Sequence, residues 1–126
     1  MKLLRDELIL YLDCSNDSHK KTRAFAHSIS EHVIEHSFND HKFTKTQWRD
    51  LLTMLNMEPK ELMNKANPRY QRNIAGKVFD DECWLDILVK NPCLIKGPIA
   101  IMGSKAVLCL KPKDVYKLLP ERMAVV

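Results

Sequence analysis

The segment Glu7-Leu8-Ile9-Leu10-Tyr11-Leu12 is a short, nearly continuous apolar run, which suits a strand buried on both faces of a sheet. Residues 13 to 18 follow as a polar loop. Asp17 or Ser18 is placed to cap a helix, because a short side-chain oxygen accepts a bond from a free N–H of the first turn. That helix is predicted to run through Lys20 and Phe25 to about Ser28. The adjacent β-branched residues in 32–38 favour a second strand. Residues 44–56 have the period of an amphipathic helix, with Trp48, Leu51, Leu52 and Leu55 on one face.

A shorter helix is expected after Pro59, which fits a first-turn position, and residues 66–79 are predicted to be loop-like. Asp80 and Asp81 open another helix, with Trp84, Leu85, Leu88 and Val89 on its buried side and Pro92 just beyond its end. Ile99-Ala100-Ile101-Met102 and Ala106-Val107-Leu108-Cys109-Leu110, separated by Gly103-Ser104-Lys105, spell a hairpin. A final helix starts at Pro112, carries Val115, Leu118 and Leu119, and stops at Pro120. The order is strand, helix, strand, three helices, hairpin, helix. An early βαβ unit and a late β-hairpin can share one mixed sheet covered by helices, an α/β thioredoxin-like arrangement.

Composition narrows the class. The 126 residues fit one domain spanning 1–126, and 45% hydrophobic with 29% charged residues is the balance of a globular protein. Charge interrupts the N-terminus before a signal peptide could form, and no stretch approaches the roughly 18 apolar residues of a membrane span. A cytoplasmic location without membrane attachment is expected. The net charge of +4 is mild and scattered, so nucleic acid is not indicated as a partner. Cys14, Cys83, Cys93 and Cys109 form no C-x-x-C pair and no zinc-type spacing. The last three are expected to be small core hydrophobes.

The late part of the chain carries a resemblance to a known family. Phe79-Asp80-Asp81-Glu82 leads into Trp84-Leu85-Asp86, followed by Asn91-Pro92-Cys93-Leu94-Ile95-Lys96-Gly97-Pro98-Ile99 and then Gly103-Ser104-Lys105-Ala106-Val107-Leu108. This ordered string resembles the arsenate reductase family that also contains the Spx-type transcriptional regulators, and the likeness extends from about residue 8 to residue 119. The resemblance implies a thioredoxin-like fold and a cis proline at Pro98 beside the active-site loop. It also implies a nucleophilic cysteine just before the first helix, a basic residue four positions on, and three anion-binding arginines.

Arsenate reduction needs a thiolate to attack arsenic, with loop and helix N–H groups lowering the thiol pKa and holding the oxyanion. Matching Tyr11 and Lys20 to the family pattern puts Asn16 at the nucleophile position, and an amide cannot form the arsenic–sulfur bond. The arginine positions fall on Asn64, Gly97 and Leu110, with Lys65, Lys96 and Lys111 next door. A neighbouring lysine does not replace a planar bidentate donor. The resemblance thus implies a catalytically degenerate member acting by binding, as a regulator or adaptor.

The opposing hypothesis makes Cys14 the nucleophile of a thiol oxidoreductase or arsenate-reductase-like enzyme, with glutathione or a glutaredoxin-like partner. Its distance from the helix start weakens the stabilisation of a thiolate, and Asp13 and Asp17 raise its pKa. Under the binding hypothesis, Asn16, Lys20, Lys96 and Pro98 border the altered loop, the lysines make it electropositive, and the partner is a protein. Neither hypothesis requires a cofactor or a metal. His32-Val33-Ile34-Glu35-His36 matches the H-x-x-E-H pattern of zinc peptidases, but on a strand its two histidines would stand about 13 Å apart, too far for one ion.

Overall fold

The computed structural model describes residues 7–13, 17–38, 40 and 42–118, and of Ser18 and Cys93 the backbone alone. A four-stranded mixed sheet of order β2-β1-β3-β4 organises these residues, with β1 at Leu8–Leu12, β2 at Val33–Ser37, β3 at Ile99–Met102 and β4 at Lys105–Leu108. β1 pairs parallel with β2 through the crossover helix α1, Asp17–Ile29, and antiparallel with β3, which forms the hairpin with β4.

Alternation along the central strands divides the core in two. Leu8, Leu10 and Leu12 of β1, with Ala100 and Met102 of β3, pack against Ala26 and Ile29 of α1 and against Val115 and Leu118 of the 3₁₀ segment Pro112–Leu118. On the opposite face Tyr11 and Ile99 meet Trp48, Leu51 and Leu52 of α2, Lys45–Leu55, and Leu85 and Leu88 of α4, Asp81–Lys90. The continuous apolar run of β1 is therefore required by burial on both faces.

Caps set the helix boundaries on the second face. Thr44 accepts from the Gln47 N–H while Gln47 reaches back to the Thr44 N–H, a reciprocal box, and α2 ends at Asn56 in the left-handed region with φ 54°. Asp80 Oδ1 accepts from the Cys83 N–H at 2.8 Å and opens α4. Arg49 and Lys45 of α2 reach Glu82, and Lys45 also reaches Asp86, so α2 and α4 run antiparallel.

Several expectations are corrected. Residues 66–79 are not all loop: Asn67 caps a short helix, α3, at Pro68–Asn73, accepting from the Arg69 N–H and burying Tyr70. The segment after Pro59 is a 3₁₀ turn, Pro59–Leu62, and the final helix is likewise 3₁₀. Asp17 lies inside the first turn of α1 rather than capping it. Val89 is 36% exposed, on the solvent edge of α4 rather than its buried side. β4 ends at Leu108: Cys109 still donates its N–H to the Pro98 carbonyl in register, but Pro98 has no N–H to return the bond, and Leu110 turns toward Asp114.

The expected cis bond before Pro98 is also corrected, since no cis peptide occurs among the described residues. The Lys96 N–H donates to the Leu62 carbonyl at 2.8 Å, and the Pro98 carbonyl accepts from the Cys109 N–H at 2.8 Å. Tied at both sides, the chain enters β3 without the tight turn that favours a cis X-Pro bond.

Candidate functional site

β1 hands the chain to Asp13 at the carboxyl ends of two parallel strands, the crevice where open α/β sheets bind ligands. Tyr11 is paired with Ile99, so the loop begins beside Pro98 at the foot of β3. Cys14 and Asn16 lie outside the described residues. The residues around them define the site's walls.

His19 is the buried polar group of this wall, 5% exposed. Its Nδ1 accepts from the Asp13 N–H at 2.9 Å, which assigns the proton of the neutral ring to Nε2. Burial pushes the imidazole pKa down, against the opposing pull of Asp13. His19 thus ties the start of the loop to the first turns of α1 as a neutral ring. The sequence contained a signal for it: His19, Thr22, Ala26 and Ile29, all buried, form one helical stripe.

Lys20 points to solvent and pairs with Asp17 of its own helix at 3.5 Å, with the two side chains 49% and 95% exposed. Such a pair holds little energy, so the ammonium can turn to an incoming anion. Pro98 is buried, and Lys96 is exposed two residues earlier.

The positions that the resemblance matched to arginines converge on two backbone tethers. Met63 and Ile95 form an isolated antiparallel bridge, flanked by Asn64 N–H to Leu94 carbonyl at 2.7 Å and Lys96 N–H to Leu62 carbonyl. Asn64 folds its side chain onto the Ala66 N–H as a local turn. Gly97 lies against Cys109, where an added Cβ would meet the Cys109 carbonyl oxygen at 2.6 Å. Leu110 is 58% exposed, and its N–H donates to Asp114 Oδ2 at 2.9 Å.

Among the described residues, two thiols are placed, Cys83 and Cys109. Cys109 is 2% exposed, and burial with the nearby Asp114 pushes it to about 12, with Lys117 opposing. Cys83 is exposed, contrary to its expected core position, and its hydrogen bond with the Asp80 carboxylate raises its pKa. Neither is a poised thiolate at neutral pH. The H-x-x-E-H segment is a strand from Val33 onward: His36 stacks on Tyr11 at 5.3 Å, while Glu35 meets His27 and Arg23 of α1.

No helix among the described residues is long and apolar enough to cross a membrane. The chain is similar in structure to an arsenate reductase from Vibrio cholerae, with a TM-score of 0.81 and 17% identity over 92% of this chain and 100% of that one. An arsenate reductase (ArsC) related protein from Brucella melitensis superposes with a TM-score of 0.66 and 17% identity, covering 89% of this chain and 93% of that one. In sequence it is 32% identical over 72 residues to the uncharacterized protein YfgD of Escherichia coli K12, covering 56% of this chain and 60% of that relative's length. The two structural likenesses establish an arsenate-reductase-like fold. The ArsC family model matches residues 11–118, most of the chain, and with the mixed sheet already described this leads to one conclusion: the chain belongs to the ArsC family.

Proposed function

We propose that this ArsC-family protein acts by binding, as a regulator or adaptor, and does not reduce arsenate. The observation that carries the reading is the packing of Gly97 on Cys109. A side chain at 97 would collide with a backbone oxygen at 2.6 Å, so the position matched to an anion-binding arginine accepts no arginine without moving the end of β4. Two further features support it. Asn64 uses its side chain in a local turn, and Leu110 presents an apolar side chain where the family pattern has a cation. Asn16, at the position matched to the nucleophile, carries no thiol.

What remains around the loop is suited to recognition. Lys20 and Lys96 are exposed, and His19 anchors the loop start to α1. An electropositive surface of this kind binds a partner by charge complementarity, without a bond being made or broken.

The test is the pH dependence of Cys14 alkylation in the native protein, with Cys14→Ser as the control for the other three thiols. The binding reading expects slow labelling with an apparent pKa at or above about 8.5, the value of an ordinary thiol. Fast labelling with a pKa well below that value would replace it with a redox enzyme using Cys14.

A further inference from the structure

The antiparallel pair of α2 and α4 leaves a cleft of about 420 Å³ at the end where α2 begins and α4 stops. Its floor is apolar and mostly aromatic, made by Phe38, Phe43, Trp48 and Leu88, and its rim carries Lys42 and Lys90. Both lysines are exposed. Their neighbours Lys45 and Arg49 are tied to Glu82 and Asp86, whereas Lys42 and Lys90 make no ion pair among the described residues. The cations at this mouth are thus available to a ligand, and among the described residues no carboxylate lines the cleft.

The cleft is connected to the candidate loop by ring contacts. Tyr11, two residues before Asp13, lies 4.7 Å from Phe43 and 6.3 Å from Phe38, and Phe43 lies 4.6 Å from Trp48. A second cleft, at the opposite end of the same helix pair, is bordered by Glu58, Glu61 and Asp81. The two ends therefore differ in charge, and only the end adjoining the loop combines aromatic walls with unpaired cations.

We infer that this cleft docks an acidic segment of a partner protein that presents one large apolar side chain between carboxylates. The aromatic lining suits a large apolar side chain, which would fill part of the cleft, and the two lysines, contributed by separate parts of the chain, supply charge complementarity to acidic residues on either side. Val89, exposed next to Lys90, extends the apolar contact to the rim. The inference rests on the binding reading and names the class of partner.

The probe is a capped pentapeptide with phenylalanine between two pairs of aspartates, read by Trp48 fluorescence in a Trp84→Phe background. Saturable binding that weakens with added salt is expected. Affinity should fall by about tenfold or more when the central phenylalanine becomes alanine, and similarly in a Lys42→Gln/Lys90→Gln double variant, whose exposed substitutions leave the core intact. Absence of saturable binding, or equal affinity in the double variant, would overturn the inference. Phenylacetate binding as tightly as the peptide would also overturn it, marking a site for small carboxylates. Failure of the peptide together with an unreactive Cys14 removes this partner and keeps the binding reading; a reactive Cys14 removes the binding reading itself.

Discussion

The carbonyl oxygen of Cys109 stands 2.6 Å from the point a Cβ on Gly97 would occupy, closer than real side chains come to backbone. Gly97 does not need a left-handed φ, so its requirement for glycine is purely steric. The contact exists because Cys109 donates its N–H to the Pro98 carbonyl, drawing the end of β4 over the chain that enters β3. Gly97→Ala should therefore lose about 1–3 kcal/mol, by overpacking against backbone that cannot rotate away. Gly76→Ala is the comparison: φ is +77° and the surrounding space is open, so its cost of about 1 kcal/mol is conformational alone. Urea denaturation of both variants checks this, and an unaffected Gly97→Ala would contradict the packing.

Asp114 fixes the adjoining turn. Its Oδ2 accepts from the Leu110 and Lys111 N–H groups at 2.9 and 3.0 Å. Burial raises its pKa, but the Lys111 and Leu110 N–H groups and Lys117 outweigh that and hold the carboxyl below its usual range. A depressed carboxylate pKa adds stability that is present above the unfolded value, about 3.9, and lost as pH falls through the folded value. Asp114→Ala should cost about 1–2 kcal/mol at pH 7, with the gap to wild type closing below about pH 4. Denaturation at pH 7 and pH 3.5 measures the gap, and a constant difference would count against the assignment.

His19 gives a second pH dependence. With a folded pKa below its unfolded value of about 6.5, the unfolded chain binds more protons between the two, so stability rises with pH. The stability is fully present above about pH 6.5 and is lost as pH falls through the folded value. Protonation of Nδ1 also turns the acceptor of the Asp13 N–H into a donor facing it. His19→Asn keeps an acceptor but cannot titrate, so its stability should change less between pH 7.5 and 5 than that of wild type. Equal slopes would show that His19 is not the titrating group.

Cys109 should resist alkylation in the folded protein. Its exposure of 2% and pKa of about 12 leave almost no thiolate at pH 8. Native labelling is expected at least about a hundredfold slower than labelling in urea, followed site by site by mass spectrometry. Rapid native labelling of Cys109 would mean that the end of β4 opens readily.

Much of this architecture was legible from hydrophobic period. β1 is an uninterrupted apolar run because helices cover both of its faces, and α2 carried both its buried stripe and its Thr44–Gln47 box in the sequence. α3 was hidden because Pro68–Asn73 is too short to show a period, although Asn67-Pro68 is a start signal. Val89 follows Leu88 and looked equally apolar, yet adjacent helical residues diverge by about 100°, so only one reaches the core. At the site, the approach of Gly97 to Cys109 joins segments on opposite sides of a hairpin, and no local pattern encodes it. The same holds for the lysine-rimmed cleft, assembled from the ends of α2 and α4.

If binding has replaced arsenate chemistry in this ArsC-family chain, as proposed above, the purified protein reduces no arsenate. The most direct test is arsenate reduction by the purified protein with glutathione, glutaredoxin and glutathione reductase, which recycles the glutathione disulfide formed at the expense of NADPH, followed as NADPH oxidation beside a Cys14→Ser control. The expected rate equals that of the control and of the mixture without protein. Turnover that requires arsenate and disappears in Cys14→Ser would contradict it.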